Sequence, residues 1–514
     1  MDYAVEMRGI DKYFGDVCAN NQVNLTIKKG EILALLGENG SGKTTLMNML
    51  SGIYFPDAGE ILVDGTPAVI RSPRDAFRLK IGMVHQHFKL VDVFTAAENI
   101  LLGLEEGGKF DTKKAAEKIR ALSEKYGFDV NPEKEIHNMA VSEKQTVEII
   151  KTLYRGADIL ILDEPTAVLT PQETRKLFQI LKAMREDGKS IVIITHKLTE
   201  VMEISDRVTV LRKGEYIDTL ETAKTDPQSL ADKMVGRALT LNIDRPLPKD
   251  PKLRLEIKNL TCKNEEGVRV LDNVAFQVHS GEILGIAGIA GSGQRELCEA
   301  VAGLQPVQSG SIRYHPPGEG DAPQELLGKS PNAIRDLGVS LAFVPEDRLG
   351  MGLVGSMGMV DNMLLRNYDR GNPFFMDAKP SKALAEDVKE KLGVVTPDLD
   401  TPVRRLSGGN VQKVLLGREI ASSPSVLMAA YPVRGLDINS SYTIYNLLTS
   451  QKQEGAAVIY VGEDLDVLLE LCDRILVLCA GKVSGIVDGR TITKEEVGLL
   501  MTQVGEGESS GASE

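Results

Sequence analysis

The chain has 514 residues, too many for one ordinary hydrophobic core, so length alone implies two to four domains. Hydrophobic residues at 42% and charged residues at 26% fit a globular protein, and a formal net charge of −13 argues against a broad nucleic-acid surface, which needs clustered Lys and Arg. The five cysteines (Cys18, Cys262, Cys298, Cys472, Cys479) form no C-x-x-C pair, which excludes a disulfide framework or a cysteine zinc site and fits a reducing compartment.

The N-terminus begins Met1-Asp2-Tyr3 and carries Glu6 and Asp11, without the basic-then-apolar order of a signal peptide. Ile32–Leu36 reads as a strand and Thr45–Leu50 as the start of a helix. Between them, Gly37-Glu38-Asn39-Gly40-Ser41-Gly42-Lys43-Thr44-Thr45 contains G-x-x-x-x-G-K-[ST]. Glycines at that spacing let backbone N–H groups wrap phosphates, Lys43 reaches the terminal phosphates, and the Thr44 hydroxyl binds Mg²⁺.

Further along, Ile159–Leu162 is a buried-strand run ending in Asp163 and Glu164, two carboxylates suited to hold Mg²⁺ and to polarise an attacking water. Pro171–Glu186 has helical periodicity, and Ile191–Thr195 is another strand run. Such apolar runs fall well short of the ~20 residues of a spanning helix, so the chain is expected not to cross a membrane and to reach one only through partners. Near residues 238–252 three prolines and the absence of helical period mark a domain boundary.

Beyond that boundary the chain repeats itself. Residues 280–296 (SGEILGIAGIAGSGQRE) repeat 29–45 (KGEILALLGENGSGKTT), and 457–482 repeat 191–215, with Asp206 and Asp473 lying 267 positions apart. A period that long implies duplicated domains rather than a solenoid. The copy is altered where phosphate chemistry needs it: Gln294 and Arg295 replace Lys43 and Thr44, while Ala430 and Tyr431 replace Asp163 and Glu164. Arg295 leaves phosphate binding open, but hydrolysis lacks a metal ligand and a base. Conversely, Leu406-Ser407-Gly408-Gly409-Asn410, before a helix beginning near Val411, offers a hydroxyl and glycine N–H groups as an anion site. The first half has Ala140 and Ser142 at those positions. The tail after Val504, GEGESSGASE, has the composition of a disordered segment.

The order of Lys43, Gln86 after Met83-Val84-His85, Asp163-Glu164 and His196 resembles that of ABC nucleotide-binding domains, and the resemblance runs to Gln503. It implies an α/β fold with two P-loop domains in one chain, each with a mixed, largely parallel sheet and a helical signature subdomain. The expected limits are 1–240 and 253–503, with a linker at 241–252 and a tail at 504–514. It further implies that Gln86 senses metal and water, that His196 contacts the γ-phosphate, and that Phe14 stacks on adenine, although Phe14 is also readable as a core residue. The second half would carry Glu346 for Gln86, Glu463 for His196 and no aromatic at 263–267, yet would keep Asp437, whose first-half counterpart is Thr170. In this family each site joins one domain's Lys and carboxylates to the other's signature. One site would then unite Lys43, Thr44, Gln86, Asp163, Glu164 and His196 with Ser407, Gly408, Gly409 and Asp437. The other would unite Gln294, Arg295, Ala430, Tyr431 and Glu463 with Ala140 and Ser142, and would be degenerate.

The degenerate second loop and Val344-Pro345-Glu346-Asp347-Arg348 look like ATPases of simple-sugar importers of the ribose, galactose and xylose kind. Residues 82–88 and 343–354 look more like the nucleoside-importer branch. The resemblance implies ATP and Mg²⁺ as ligands, and two integral-membrane permeases and an extracytoplasmic solute-binding protein as partners. It implies no nucleic acid, and a place on the cytoplasmic face of the cell membrane. Tandem ABC proteins acting on ribosomes are an alternative, but they usually keep both sites and a long charged linker. A nucleotide sensor without transport is a third reading.

Overall fold

Runs of apolar and β-branched residues, buried on both faces, form the centre of each half. The computed structural model describes residues 3–86, 88–103, 112–167, 169–236, 242–264, 266–318, 320–366 and 377–503. His87 and the tail at 504–514 lie outside them. The chain divides into two units, Met1–Thr240 and Leu241–Glu514.

In the first unit a six-stranded sheet has the order Glu215–Glu221, Arg207–Arg212, Ile32–Leu36, Ser190–Thr195, Ile159–Asp163, Ile81–Val84. All its pairs are parallel except the first. A four-stranded antiparallel sheet, Val17–Lys28, Tyr3–Phe14, Ala58–Val63 and Thr66–Ala68, accompanies it. Alternate residues of the central strands feed two cores. Leu33, Leu35, Ile159 and Ile161 pack with the antiparallel sheet, whereas Ile32, Leu160, Leu162 and Ile191 pack with the helices. Those helices include Ala96–Leu101, Thr112–Tyr126 and Val141–Tyr154, which form the helical part of the unit.

The second unit has the same layout. Its six strands run Leu341–Val344, Val426–Ala430, Ala457–Val461, Ile283–Gly288, Arg474–Cys479, Lys482–Asp488, again with only the last pair antiparallel. The described part of segment 241–252 is fastened to this unit: Ile243 is buried, and Arg245 Nη1 donates to the carbonyls of Leu469, Cys472 and Gly489. Among the described residues no helix is long and apolar enough to cross a membrane.

Two helices begin earlier than their sequence suggests. The first starts at Lys43 rather than Thr45, and the later one at Gly408 rather than near Val411. Glycine disfavours helix interiors by about 1 kcal/mol, but packing against neighbouring helices overrides that preference in a first turn. A Cβ on Gly409 would lie 2.9 Å from Ser440 Oγ, so any larger residue there would have to displace that hydroxyl from Asp437.

The repeat extends to an ion pair under the sheet. Asp206 Oδ2 accepts the Ile32 N–H at 2.8 Å and Asp473 Oδ2 accepts that of Ile283 at 2.8 Å. In the second unit Lys452, 2% exposed, pairs with Asp473, 7% exposed; in the first, Arg185 pairs with a half-exposed Asp206. Removing one partner of a buried pair leaves an uncompensated charge. Asp473→Ala should therefore destabilise the second unit by about 3–5 kcal/mol, and Asp206→Ala should shift the first unit clearly less. Denaturant midpoints of the full chain check this, and equal shifts would contradict it.

Candidate functional site

Parallel pairing sets the first unit's site. Leu36 pairs with Thr195, Asp163 with Ile194, and Val84 with Leu162, so four strands end at one level. The residues just past those ends are the Gly37 loop, Glu164, His196 and Gln86, and ligands in open α/β sheets bind at such carboxyl ends.

The Gly37 loop is shaped by close backbone approach. A Cβ on Gly37 would lie 2.4 Å from both the Leu211 carbonyl and Ser41 Oγ. Gly42, at φ 91°, caps the helix Lys43–Leu50, and a Cβ there would meet the Ala19 carbonyl at 2.4 Å. Glu38 is half-buried, Asn39 and Gly40 are exposed at the turn, and Thr44 and Thr45 open the helix at the surface. Lys43, 6% exposed, folds back to donate to the carbonyls of Gly37 at 2.7 Å and Glu38 at 2.9 Å. Burial pushes its ammonium below the ordinary lysine range, opposed by Glu164 and Asp163. Ser41 Oγ is buried without a hydrogen-bond partner.

Asp163, 7% exposed, sits with its oxygens 3.3 and 3.4 Å from Thr44 Oγ1. Burial, then the Glu164 charge, pushes its carboxyl up to about 6. Glu164 is held at both oxygens: His196 Nδ1 lies 2.9 Å from Oε1, and Gln86 Nε2 donates to Oε2 at 3.0 Å. The His196 hydrogen bond lowers its carboxyl despite burial. Its backbone is left-handed, φ 45°, while its N–H donates to the Ile194 carbonyl at 2.9 Å. A non-glycine residue there costs about 1–3 kcal/mol, a strain that clusters at functional sites.

Phe14 is not a core residue. It is 44% exposed, its ring edge-on to Tyr54 at 5.1 Å, with Lys12 Nζ 5.5 Å from its centroid. Two groups escaped the sequence reading. Glu200 is buried and joins Thr166 Oγ1 to Thr195 Oγ1, bracing the corner after Glu164 against the strand before His196. Tyr54 supports Phe14. Neither has a local sequence signal, since both act by contact across the fold.

In the second unit the backbone recurs and the side chains differ. Tyr431 keeps the left-handed corner at φ 48°, its N–H bonded to the Val461 carbonyl at 2.9 Å. Burial pushes its phenol well up. Gln294 occupies the place of Lys43 and donates to the Ile289 carbonyl at 3.1 Å, so a neutral amide reproduces the lysine's resting contact. Arg295 points outward and pairs with Glu299 at 2.6 Å, and Ala430 closes its strand buried in the core. Glu346 and Glu463 lie on either side of Arg434.

The signature-like turns differ between the units. Ser407 and Gly408 are exposed at the helix start, with Ser407 Oγ accepting from Asn410 Nδ2 at 2.9 Å. Asp437 caps the helix Ile438–Gln453 through the Ser440 N–H at 2.7 Å. In the first unit Ala140 donates its N–H to Glu143 at 2.7 Å, the half-buried Ser142 follows it, and Thr170 caps its helix through Glu173. The first unit thus joins a phosphate-shaped loop, a buried cation and two adjacent carboxylates, a set that fits a triphosphate and a divalent cation.

A family model described as ABC transporter matches residues 20–167 and, separately, 271–432. Over 502 residues the chain is 44% identical to the nucleoside import ATP-binding protein NupA of Lactococcus lactis subsp. cremoris, covering 97% of each chain. It is 43% identical over 527 residues to the guanosine import ATP-binding protein NupO of Bacillus subtilis, covering 99% of this chain and 100% of that one. To the glucose import ATP-binding protein TsgD13 of Haloferax volcanii it is 39% identical over 539 residues, covering 98% and 96%.

A buried carboxyl raised to about 6 makes a pH prediction for the nucleotide- and metal-free protein. The folded state binds more protons than the unfolded chain between about pH 4 and 6, so Asp163's contribution to stability falls as pH rises through that window. Asp163→Asn cannot ionise and should be more stable than the parent at pH 8 by about 1–3 kcal/mol, with the gap narrowing through that window and closing below about pH 4. Calorimetry in chelator checks it, and a less stable variant at pH 8 would contradict it.

Proposed function

The chain belongs to the ABC transporter family, as an import ATP-binding protein, and from that premise we propose that it energises nucleoside uptake through one competent ATP-hydrolysing site per chain. The observation carrying this is the asymmetry of two like-folded corners. One holds Lys43, Thr44, Asp163 and Glu164 together; the other offers Gln294, Arg295, Ala430 and Tyr431.

In the proposed reaction Lys43 leaves the Gly37 and Glu38 carbonyls for the terminal phosphates of ATP, and the loop N–H groups cradle them. Thr44, Gln86 and Asp163 would hold Mg²⁺, which when bound neutralises charge developing on the phosphates. Glu164, aligned by His196 and Gln86, takes the position to polarise the attacking water, and release of Gln86 frees one carboxylate oxygen for it. His196 then has the γ-phosphate within its neighbourhood, and the exposed Phe14 face offers adenine a stacking surface. The family resemblance gives Ser407, Gly408, Gly409 and Asp437 the part of stabilising charge on the transferred phosphoryl. The second unit's own set, Gln294, Arg295, Ala430, Tyr431 and Glu463, does not hydrolyse.

As an importer subunit without a spanning helix among its described residues, the chain works with two permeases and a solute-binding protein at the cytoplasmic face of the membrane. Nucleosides are favoured over sugars by the higher identity to the NupA and NupO proteins than to the glucose-import relative.

In the assembled complex Lys43→Ala or Glu164→Gln should abolish ATP hydrolysis, while Gln294→Ala should leave most of it. Equal damage from Lys43→Ala and Gln294→Ala would sink the asymmetry. Separately, deleting the subunit should reduce uptake of labelled uridine or adenosine. If ribose or galactose uptake falls instead, the solute assignment is wrong and the ATPase assignment stands.

A further inference from the structure

In the second unit, the groups standing for Gln86 and His196 are both acidic, and a cation lies between them. Arg434 Nη1 donates to Glu346 Oε1, and Arg434 Nε lies 3.3 Å from Glu463 Oε1. This inverts the charges of the first unit, where the Glu164 carboxylate accepts from an amide and an imidazole. A planar guanidinium, with donors fixed on several edges, suits two carboxylates at once. The first unit has Ala167 at this position, so nothing like it exists there.

Arg434 opens the short loop Arg434-Gly435-Leu436 that leads directly into Asp437. Its carbonyl accepts a hydrogen bond from Arg348 Nη2, and Arg348 Nη1 would lie 3.3 Å from a Cβ on Gly408. Asp437 binds Ser440 through both the N–H and Oγ, and Ser440 Oγ in turn abuts Gly409. Hydrogen bonds thus join the 346–348 segment to the 434–437 loop, and the Ser407–Gly409 turn packs beside them against Arg348 and Ser440.

We propose that Arg434 is a positioning residue for ATP hydrolysis: clamped by Glu346 and Glu463, it holds the loop into Asp437, and with it the Ser407–Gly409 turn packed on Ser440, in the geometry the signature residues need. The inference rests on the family reading that Ser407, Gly408 and Asp437 serve the hydrolysing site. Losing its own metal ligand and base left the second unit's corner free to become a brace for the signature residues it lends. Arg434 is 56% exposed, and ion pairs of that exposure contribute little to fold stability, so its role lies in geometry.

The test uses the assembled importer. Arg434→Ala should lower kcat for ATP hydrolysis by about tenfold or more, because small misplacements of groups at a reacting centre are costly. KM for ATP should stay within about threefold, since the Lys43 loop carries binding, and the unfolding midpoint should not move. Arg434→Lys keeps the charge without the fork and should recover only part of kcat. Glu463→Ala should add almost nothing to Arg434→Ala, as expected for residues acting as one unit. If Ser407→Arg is inactive but Arg434→Ala keeps kcat within about twofold of the parent, the brace is overturned and the composite site stands. If Ser407→Arg is fully active, the composite site fails and the brace with it. A parallel loss of ATP affinity or of thermal stability in Arg434→Ala also overturns the proposal.

Discussion

Every reacting group in the first unit depends on four parallel strands ending at one level. Apolar side chains within those strands are committed to the two cores, so only the last strand residue, as at Asp163, and residues just beyond the strand ends can face a ligand. The register decides which residues those are. Slipping Ile159–Asp163 by one position would send Asp163 to the wrong face and bury Glu164 where it could not reach His196. The left-handed turn at Glu164 is the local cost of leaving the sheet at that point, and the Ile194 carbonyl bond fixes it.

The same constraint explains what changed in the second unit and what did not. Tyr431 carries the same strained turn and the same bond to the neighbouring strand, because sheet and turn are needed for folding whatever chemistry follows. Gln294 likewise keeps the lysine's contact with the loop without its charge. The side chains that differ are those the fold itself does not use. Ala430 replaced a buried carboxylate whose ionisation opposes burial, and Arg434 with two glutamates took over the corner.

Much of this was legible in sequence because phosphate chemistry imposes fixed spacing. The Gly37–Thr44 loop, the Asp163-Glu164 strand end and the helix Pro171–Glu186 lie where their patterns put them. The helix from Gly408 begins earlier than its pattern suggests because glycine propensity is a local rule, whereas Gly409 packs on Ser440 across the fold. Phe14 was ambiguous, since an aromatic at a strand end is equally a core residue until its exposure is known. The Glu200 brace and the Arg434 clamp were illegible: their partners are remote in sequence, and no period or spacing connects them.

The central claim is that a chain with two like-folded corners hydrolyses ATP at one of them. The most direct measurement is the number and location of ADP molecules trapped per chain by vanadate in the assembled importer, read with a photoreactive nucleotide and peptide mapping. The account predicts about one trapped ADP per chain, labelling residues around Phe14 and the Gly37 loop. Two per chain, or label on the Gly288 loop, would contradict it.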